Sequence, residues 1–291
     1  MIINIRMKIM QLSIIIPTYN SEKYIRQTLN SLITGTEYAS NVEILVFDDG
    51  SIDRTLEIVN EYAQKDDRLR VFKVSHMGPA NIKNYALDKA SGRYVAFLDS
   101  DDIVVEGYIK KILNLIVQEN PDLIIFKYDE FFESLDDRRH KSIGGYTIDT
   151  MGTMIWNKVY SSEILQKTRF PENTIYEDVL FSAEALIKSE KILNLNEVLY
   201  FYRQRSNSIT TATNTSLETH LDILTDINFF FKKVEQKEIA INKAQRKQLS
   251  ITINNLILDH SKKIIKSSFS YTEKKIIIKK LIYGSKDVLL S

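Results

Sequence analysis

The first hundred residues alternate between two hydrophobic periods. LSIIIP (12–17) is a short, unbroken apolar and β-branched run that stops at Pro17. Such a run predicts a strand buried on both faces. From Ser21 to Ile33, Tyr24, Ile25, Leu29, Leu32 and Ile33 recur at helical spacing. VEILVF (42–47), LRVFKV (69–74) and RYVAFL (93–98) predict three further strands. Between them, Asp53 is placed to cap a helix with the face Leu56, Val59, Tyr62 and Ala63, and Asn81 to Ala90 predicts another. Strands alternating with helices imply an α/β fold: a Rossmann-like, mostly parallel sheet flanked by helices.

Beyond that point a helix is expected over 106–118 and a strand over LIIFKYDEF (123–131). Residues 133–150 are polar, contain Gly144-Gly145, and predict a loop or flap. IWNKVY (155–160) comes next, then a short helix from Ser161 and the segment RFPENTIYEDVLF (169–181). LNEVLYFYRQRSNSIT (195–210) is aromatic and β-prone, then basic, and from Ser216 onward the pattern is helical.

In a parallel sheet, ligands bind beyond the carboxyl ends of the strands. Those ends carry Pro17-Thr18-Tyr19-Asn20, Asp48-Asp49-Gly50-Ser51, His76-Met77-Gly78-Pro79 and Asp99-Ser100-Asp101-Asp102. Asp99 and Asp101, with one residue between them, are hard oxygen donors suited to Mg2+ or Mn2+ completed by substrate phosphates. A solvated turn that caps the next helix is the competing account. Asp48 and Asp49 suit hydrogen bonding to a base imide or ribose hydroxyls, while a D-G turn would also explain them.

SIIIPTYN (13–20), VFDDGSIDRT (46–55), GPANIKNYALDKASGRYVAFLDSDD (78–102), WNKVY (156–160), FPENTIYEDVLF (170–181) and YRQRSNSIT (202–210) occur in this order. Together they resemble glycosyltransferase family 2, of the GT-A fold, over residues 11–210. The resemblance implies inverting transfer of a sugar from a nucleotide-sugar, most simply a UDP-sugar. It implies that Pro17, Thr18 and Tyr19 line the base pocket, that Asp49 contacts the base, and that Asp48 supports it. Lys83 stands where the family usually carries Arg. Asp99 and Ser100 would face the donor, with Asp99 on the ribose or on metal-bound water. Asp101 would ligate a divalent cation, Mn2+ or Mg2+, that bridges the diphosphate. Glu177-Asp178 matches the acceptor-side acid pair of the family, with Asp178 as general base and Glu177 as acceptor ligand or support. An acidic first helical turn would look the same.

Acceptor or diphosphate candidates are Trp156, Asn157, Lys158, Arg203, Arg205 and Ser208. Core packing for Trp156 and a solvated basic loop for the arginines are the competing accounts. Of the four histidines, only His76 sits near the expected pocket; His140, His220 and His260 do not.

Composition changes this picture in three places. There is no cysteine, which excludes disulfides and thiolate zinc sites. The N-terminal stretch lacks a long apolar core and a small-residue cleavage site, and no span approaches 18 uncharged apolar residues, so neither a signal peptide nor a spanning helix is expected. Net charge is +1, yet Ile241 to Ser291 carries eleven Lys/Arg against three acids. That tail alternates basic and apolar residues, which suits either a packed helical cap with a solvated Lys face or an anionic membrane surface. Nucleic acid is not expected.

The expected organisation is a catalytic domain over 1–215, with a nucleotide-sugar half near 11–105 and an acceptor half near 106–215. A helical C-terminal extension follows over 216–291. The expected setting is the cytoplasm, with the inner face of the plasma membrane as an option. The acceptor would be a glycan, a lipid-linked intermediate or a glycoprotein. A nucleotidyltransferase and a non-catalytic nucleotide-sugar-binding partner subunit are the alternatives. The first lacks a Gly-rich phosphate loop after strand one. The oligomeric state is not legible.

Overall fold

The computed structural model describes residues 10–34, 40–141, 147–150, 152–172, 174, 176–205 and 220–290. The strands are β1 (Leu12–Thr18), β2 (Val42–Asp48), β3 (Leu69–Lys73), β4 (Tyr94–Phe97), β5 (Ile103–Val104), β6 (Leu123–Phe131), β7 (Arg139–Lys141), β8 (Lys158–Ser161) and β9 (Ile192–Arg203). The helices are α1 (Ile25–Ile33), α2 (Thr55–Ala63), α3 (Pro79–Lys89), α4 (Tyr108–Glu119), α5 (Asp178–Lys188), α6 (Asp222–Glu235), α7 (Lys243–Lys266) and α8 (Tyr271–Leu290).

One sheet runs in the order β3-β2-β1-β4-β8-β6-β9-β5, with β7 on β6. The pairs β3-β2, β2-β1 and β1-β4 are parallel; β8 enters antiparallel between β4 and β6. Strand order reverses between β1 and β4, which opens a crevice at their carboxyl ends.

The pleat explains why the strands read as continuous apolar runs. Ile14, Ile16, Ile44 and Val46 face a cluster shared with α1, α2 and α4. Ile15, Leu45, Phe47 and Phe97 face the opposite cluster, shared with α3 and α5. Both faces are covered, so neither alternates with polar residues. The second cluster also takes in Ile223, Ile227 and Phe230 of α6, Ile253 and Ile257 of α7, and Leu281 of α8. The expected boundary at 215 lies outside the described residues.

Several boundaries differ from the sequence expectations for local reasons. Helix α1 starts at Ile25 rather than Ser21. Ser21 N–H donates to Thr55 Oγ1 (2.7 Å) and Glu22 N–H to Asp53 Oδ2 (3.1 Å), which stitches that segment to the loop after β2. Helix α3 starts at Pro79, whose missing N–H costs nothing in a first turn. The expected helix from Ser161 is a run of turns ended by Lys167 at φ +61°. The expected flap contains a 3-10 turn (Leu135–Asp137) and β7; Gly144-Gly145 lies outside the described residues.

Candidate active site

Asp48 and Asp49 end β2 in different environments. Asp49 Oδ1 accepts Met77 N–H (2.6 Å) and Oδ2 accepts Gly78 N–H (3.0 Å). Gly78 adopts φ +83°, a conformation that only glycine takes without strain, and so presents its N–H to the carboxylate. His76 Nδ1 lies 3.2 Å from Asp49 Oδ2, and its ring tilts against Tyr19 with centroids 4.8 Å apart. Tyr19 is 47% exposed, so this pair walls an accessible side of the crevice. Across the β1–β2 register, Thr18 pairs with Asp48. Thr18 Oγ1 and Asp48 Oδ2 are buried with no hydrogen-bond partner among the described residues. Buried polar atoms of this kind usually find a partner in protein, water or ligand.

The four residues after β4 separate into distinct roles. Ser100 Oγ is 2.7 Å from Ser21 Oγ, and its carbonyl accepts Thr28 Oγ1 (3.0 Å). Ser100 thus ties the acid edge to the loop after β1. Asp102 is fully buried; Oδ2 accepts Tyr200 O–H (2.7 Å) and Oδ1 accepts Arg203 N–H (2.7 Å). It anchors β9. Burial, then the Asp101 and Asp99 charges, holds it well above the usual carboxylate range. Asp101 Oδ2 is ion-paired with Arg205 Nε at 2.6 Å. Burial raises the Asp101 carboxyl against the pull of Arg205. Asp99 is pushed up to about 7, chiefly by burial, with Lys83 opposing and Asp101 adding to the rise.

Lys83, expected on the donor nucleotide, is held by the acid pair at the head of α5. Its Nζ donates to Glu177 Oε1 (2.7 Å) and to Asp178 Oδ1 (2.7 Å). Burial pulls the ammonium down, but the charges of Asp178, Glu177 and Asp99 outweigh it, and the pKa stands above its ordinary value. Asp178 is pushed up to about 6 by burial, with Lys83 the main opposing charge. The Asp178 side chain is 29% exposed and that of Glu177 6%, so Asp178 is the acid an incoming molecule can reach.

The expected acceptor contacts on the β8 side are inside the protein. Trp156 is 5% exposed and stacks on Tyr200 (4.4 Å between centroids) and Tyr202 (5.1 Å), which leaves no open face for a sugar. Asn157 is fully buried and donates to Phe126 O (3.2 Å). Lys158 is fully buried; Nζ donates to Gly152 O (3.2 Å), Met154 O (2.5 Å) and Asn157 Oδ1 (2.9 Å). Burial lowers its pKa to about 7, with Asp178 opposing. Arg203 is buried, donating to Asp101 O (2.7 Å) and Gln27 Oε1 (2.5 Å). Arg203 thus reaches the backbone of the acid edge, and Arg205 its Asp101 carboxylate. Ser208 lies outside the described residues.

His76, the one histidine expected near the pocket, lies against Asp49 and Tyr19. One buried acid escaped the sequence reading. Asp226, on α6, accepts Leu180 N–H through Oδ2 (3.4 Å); its place on the apolar stripe of Ile223, Ile227 and Phe230 is the sequence signal that could have found it.

A divalent cation fits this donor set in one way. Among the described residues no group of three or more His, Asp or Glu side chains is gathered to hold a metal. Asp102 has both oxygens engaged. The cation would rest on Asp101, with Asp99 nearby, and take its other ligands from a diphosphate, as Mg2+ and Mn2+ sites in nucleotide enzymes commonly do.

A family model described as Glycosyl transferase family 2 matches residues 13–181. Glycosyltransferase GlyA of Streptococcus pneumoniae is 27% identical over 97% of this chain, and the chain spans 45% of the length of that relative. Poly(ribitol-phosphate) beta-N-acetylglucosaminyltransferase TarS of Staphylococcus aureus is 31% identical over 66% of this chain and 35% of its own. The crystal structure of TarS in complex with UDP-GlcNAc superposes with a TM-score of 0.60 at 24% identity, covering 96% of this chain and 73% of that one. A mannosyltransferase from Pyrobaculum calidifontis, in complex with GDP-Man and Mn2+, superposes with a TM-score of 0.57 at 13% identity, covering 96% of this chain and 87% of that one. These superpositions identify the fold as GT-A.

Proposed function

The chain belongs to glycosyltransferase family 2, and on that premise we propose that it transfers a sugar from a UDP-sugar to a glycan, lipid-linked or glycoprotein acceptor with inversion. A hexosyl or N-acetylhexosaminyl group is the cargo this reading favours, in keeping with the N-acetylglucosaminyltransferase TarS among its relatives. The observation that carries the reading is the crevice between β1 and β4, with Asp49, Asp99 and Asp101 on one side and the reachable Asp178 carboxylate on the other.

Asp178 accepts the proton of the acceptor hydroxyl as it attacks the anomeric carbon, and the bond to the nucleoside diphosphate breaks on the opposite side. Glu177 and Lys83 hold Asp178 in place. Asp49, with Asp48 behind it, and the Tyr19–His76 wall face the base; Pro17 and Thr18 line the floor. Asp101 and Asp99 would hold Mn2+ or Mg2+, which when bound neutralises charge on the departing diphosphate. Arg205, which pairs with Asp101 through Nε, would lend its positive charge to the diphosphate beside that carboxylate. Residues 1–215 form the catalytic unit, with its nucleotide half near 11–105 and acceptor half near 106–215, and 216–291 the helical extension.

Among the described residues no helix is long and apolar enough to cross a membrane. The α7–α8 hairpin exposes Ile265, Tyr271, Ile276 and Tyr283 beside Lys274, Lys275 and Lys279. This supports docking of the enzyme from the cytoplasmic side onto an anionic lipid surface that carries its acceptor.

The test is a thermal-shift panel of UDP-, GDP-, CDP- and dTDP-sugars, each with and without Mn2+. A shift confined to UDP-sugars and enlarged by Mn2+ is expected. Absence of any shift would overturn the donor site. Release of UDP with Mn2+, lost in Asp101→Ala, separates an enzyme from a binding subunit.

A further inference from the structure

The turn after β4 is gripped from β9, on the acceptor side of the sheet. The chain passes from β4 to β5, beyond β9, through residues 98–102. Asp99 N–H donates to the Tyr200 hydroxyl oxygen (3.2 Å), and that hydroxyl donates to Asp102 Oδ2 (2.7 Å). Within the turn, Asp102 N–H donates to Asp99 O (3.1 Å). Arg203 holds the same end twice: its backbone N–H donates to Asp102 Oδ1 (2.7 Å) and its Nε to Asp101 O (2.7 Å). From α1, Thr28 Oγ1 donates to Ser100 O (3.0 Å).

The side chains of the turn alternate in use. Ser100, tied to Ser21, and the buried Asp102 carry this frame. The Asp99 and Asp101 carboxylates stay outside it, and both residues are partly exposed. Tyr200 joins the two ends of the turn through one oxygen, since a phenolic hydroxyl donates one hydrogen bond and accepts others. Its ring is fully buried. Trp156 stacks on one side of it at 15° between planes, and Val104 of β5 is its register partner. A hydroxyl on so fixed a ring holds its place without further ordering.

We propose that Tyr200, acting with Asp102, is a positioning residue for the divalent cation: it fixes the backbone of residues 99–102, so that Asp99 and Asp101 are presented together. Groups that orient a metal's ligands contribute to affinity, because a loosely held ligand has to be ordered when the ion binds. One strand of the acceptor half thereby sets the donor-side acids. The effect on the cation rests on the donor site proposed above; the hydrogen-bonded frame does not.

Tyr200→Phe keeps the ring and its stack and removes one oxygen. The first measurement is ligand-free hydrogen exchange, read by mass spectrometry on wild type and this variant. Exchange should quicken in peptides that contain Asp99 and not elsewhere. Unchanged exchange there, or quickening throughout the chain, would overturn the frame. The second is calorimetric titration of Mn2+ into protein saturated with UDP, beside titration of UDP in EDTA. Tyr200→Phe should weaken Mn2+ about ten-fold or more, with metal-free UDP affinity unchanged. Unchanged Mn2+ affinity, or equal loss of both affinities, would overturn the positioning role. Asp102→Asn keeps an oxygen for Arg203 N–H but withdraws the acceptor of the Tyr200 hydroxyl, and should weaken Mn2+ comparably. The double variant should lose little more than either, because both remove one link. Fully additive losses would overturn that link. If Asp102→Asn does not fold, Tyr200→Phe decides alone. A wild type that binds neither UDP nor Mn2+ would remove the proposed function and the cation role with it, while quickened exchange at Asp99 would still establish the frame.

Discussion

Lys83 Nζ lies 2.7 Å from Asp178 Oδ1, so a helix of the donor edge holds the acid at the head of α5. Lys83 is in α3, which packs on β1 and β2; Asp178 opens α5, whose Phe181 packs on Phe97 of β4 and Tyr160 of β8 within the same cluster. The link spans 95 residues and sets both the position and the charge of the proposed base.

Lys83→Met is expected to damage the site in two measurable ways. Removing one partner of a buried ion pair costs about 3–5 kcal/mol, because the remaining charges lose their compensation. Urea denaturation at pH 7 reads that loss. Without the cation the Asp178 carboxyl also rises beyond about 6, so the acid limb of turnover moves to higher pH. Lys83→Arg keeps the charge and should keep the acid limb. A limb that moves downward in Lys83→Met would refute the pairing.

The Asp178 shift predicts the wild-type pH profile. Only the ionised form accepts a proton, so turnover should fall as pH drops through about 6. The sign for stability is opposite. The folded state binds this proton more tightly than the unfolded chain, so the stability Asp178 contributes is fully present below its ordinary value of 3.8 and is lost as pH rises through about 6. Asp178→Asn should lower kcat by about 10²–10⁴. Glu177→Gln, altering the more buried acid, should cost less. The reverse order would exchange their roles.

Much of this fold was legible because its strands are covered on both faces. β1, β2 and the first half of β6 are mostly apolar runs, and their ends were readable to within a residue or two. Asp49, Asp99 and Asp101 were findable because strand ends in a parallel sheet converge on one edge. The partners of those acids were not. Lys83 meets Asp178, and Arg203 meets Asp102, across about a hundred residues. No local period records such a register. Trp156, Asn157 and Lys158 look like surface chemistry because polar types are usually exposed. In this fold β8 runs between β4 and β6, which buries all three. Asp226 sits on the apolar stripe of α6 with Ile223, Ile227 and Phe230, so its burial was readable, but its partner Leu180, on another helix, was not.

The Asp101–Arg205 ion pair makes cation binding a competition. Arg205→Gln frees Asp101, so the Mn2+-induced rise in melting temperature should be larger than in wild type at equal Mn2+. Asp101→Ala should abolish it. Asp99, at about 7, must lose its proton near the cation, so affinity should strengthen between pH 6 and pH 8. Titration calorimetry in two buffers of different ionisation heat would register the released proton. A cation affinity that is flat across that range would contradict the site.

Trp156 is the only tryptophan, which makes its burial directly testable. Its stacking on Tyr200 and Tyr202 predicts blue-shifted emission that an added acceptor sugar does not quench. Trp156→Ala should cost about 3–5 kcal/mol through the cavity it leaves. Trp156→Phe should retain acceptor KM. A large rise in acceptor KM in the phenylalanine variant would restore the sugar-stacking role.

The face of α8 predicts a salt-sensitive lipid interaction. Ile276 is 49% and Tyr283 62% exposed, and the lysines at 274, 275, 279 and 280 share this helix. Exposed apolar groups beside a cluster of like charges are costly in water and favourable at an anionic interface. The protein should therefore sediment with phosphatidylglycerol vesicles and not with phosphatidylcholine vesicles. Each lysine near such a surface contributes about 1 kcal/mol. Replacing all four by serine should then weaken binding by about a thousand-fold, since each 1.4 kcal/mol is ten-fold. Raising the salt from 0.1 M to 1 M, which cuts the screening length from about 10 to about 3 Å, should weaken the wild type in the same direction. Ile276→Ser tests the apolar part separately, and its loss should persist at high salt. Binding to neutral vesicles, or indifference to both salt and the serine replacements, would mean that this face is a solvated surface of the helical cap.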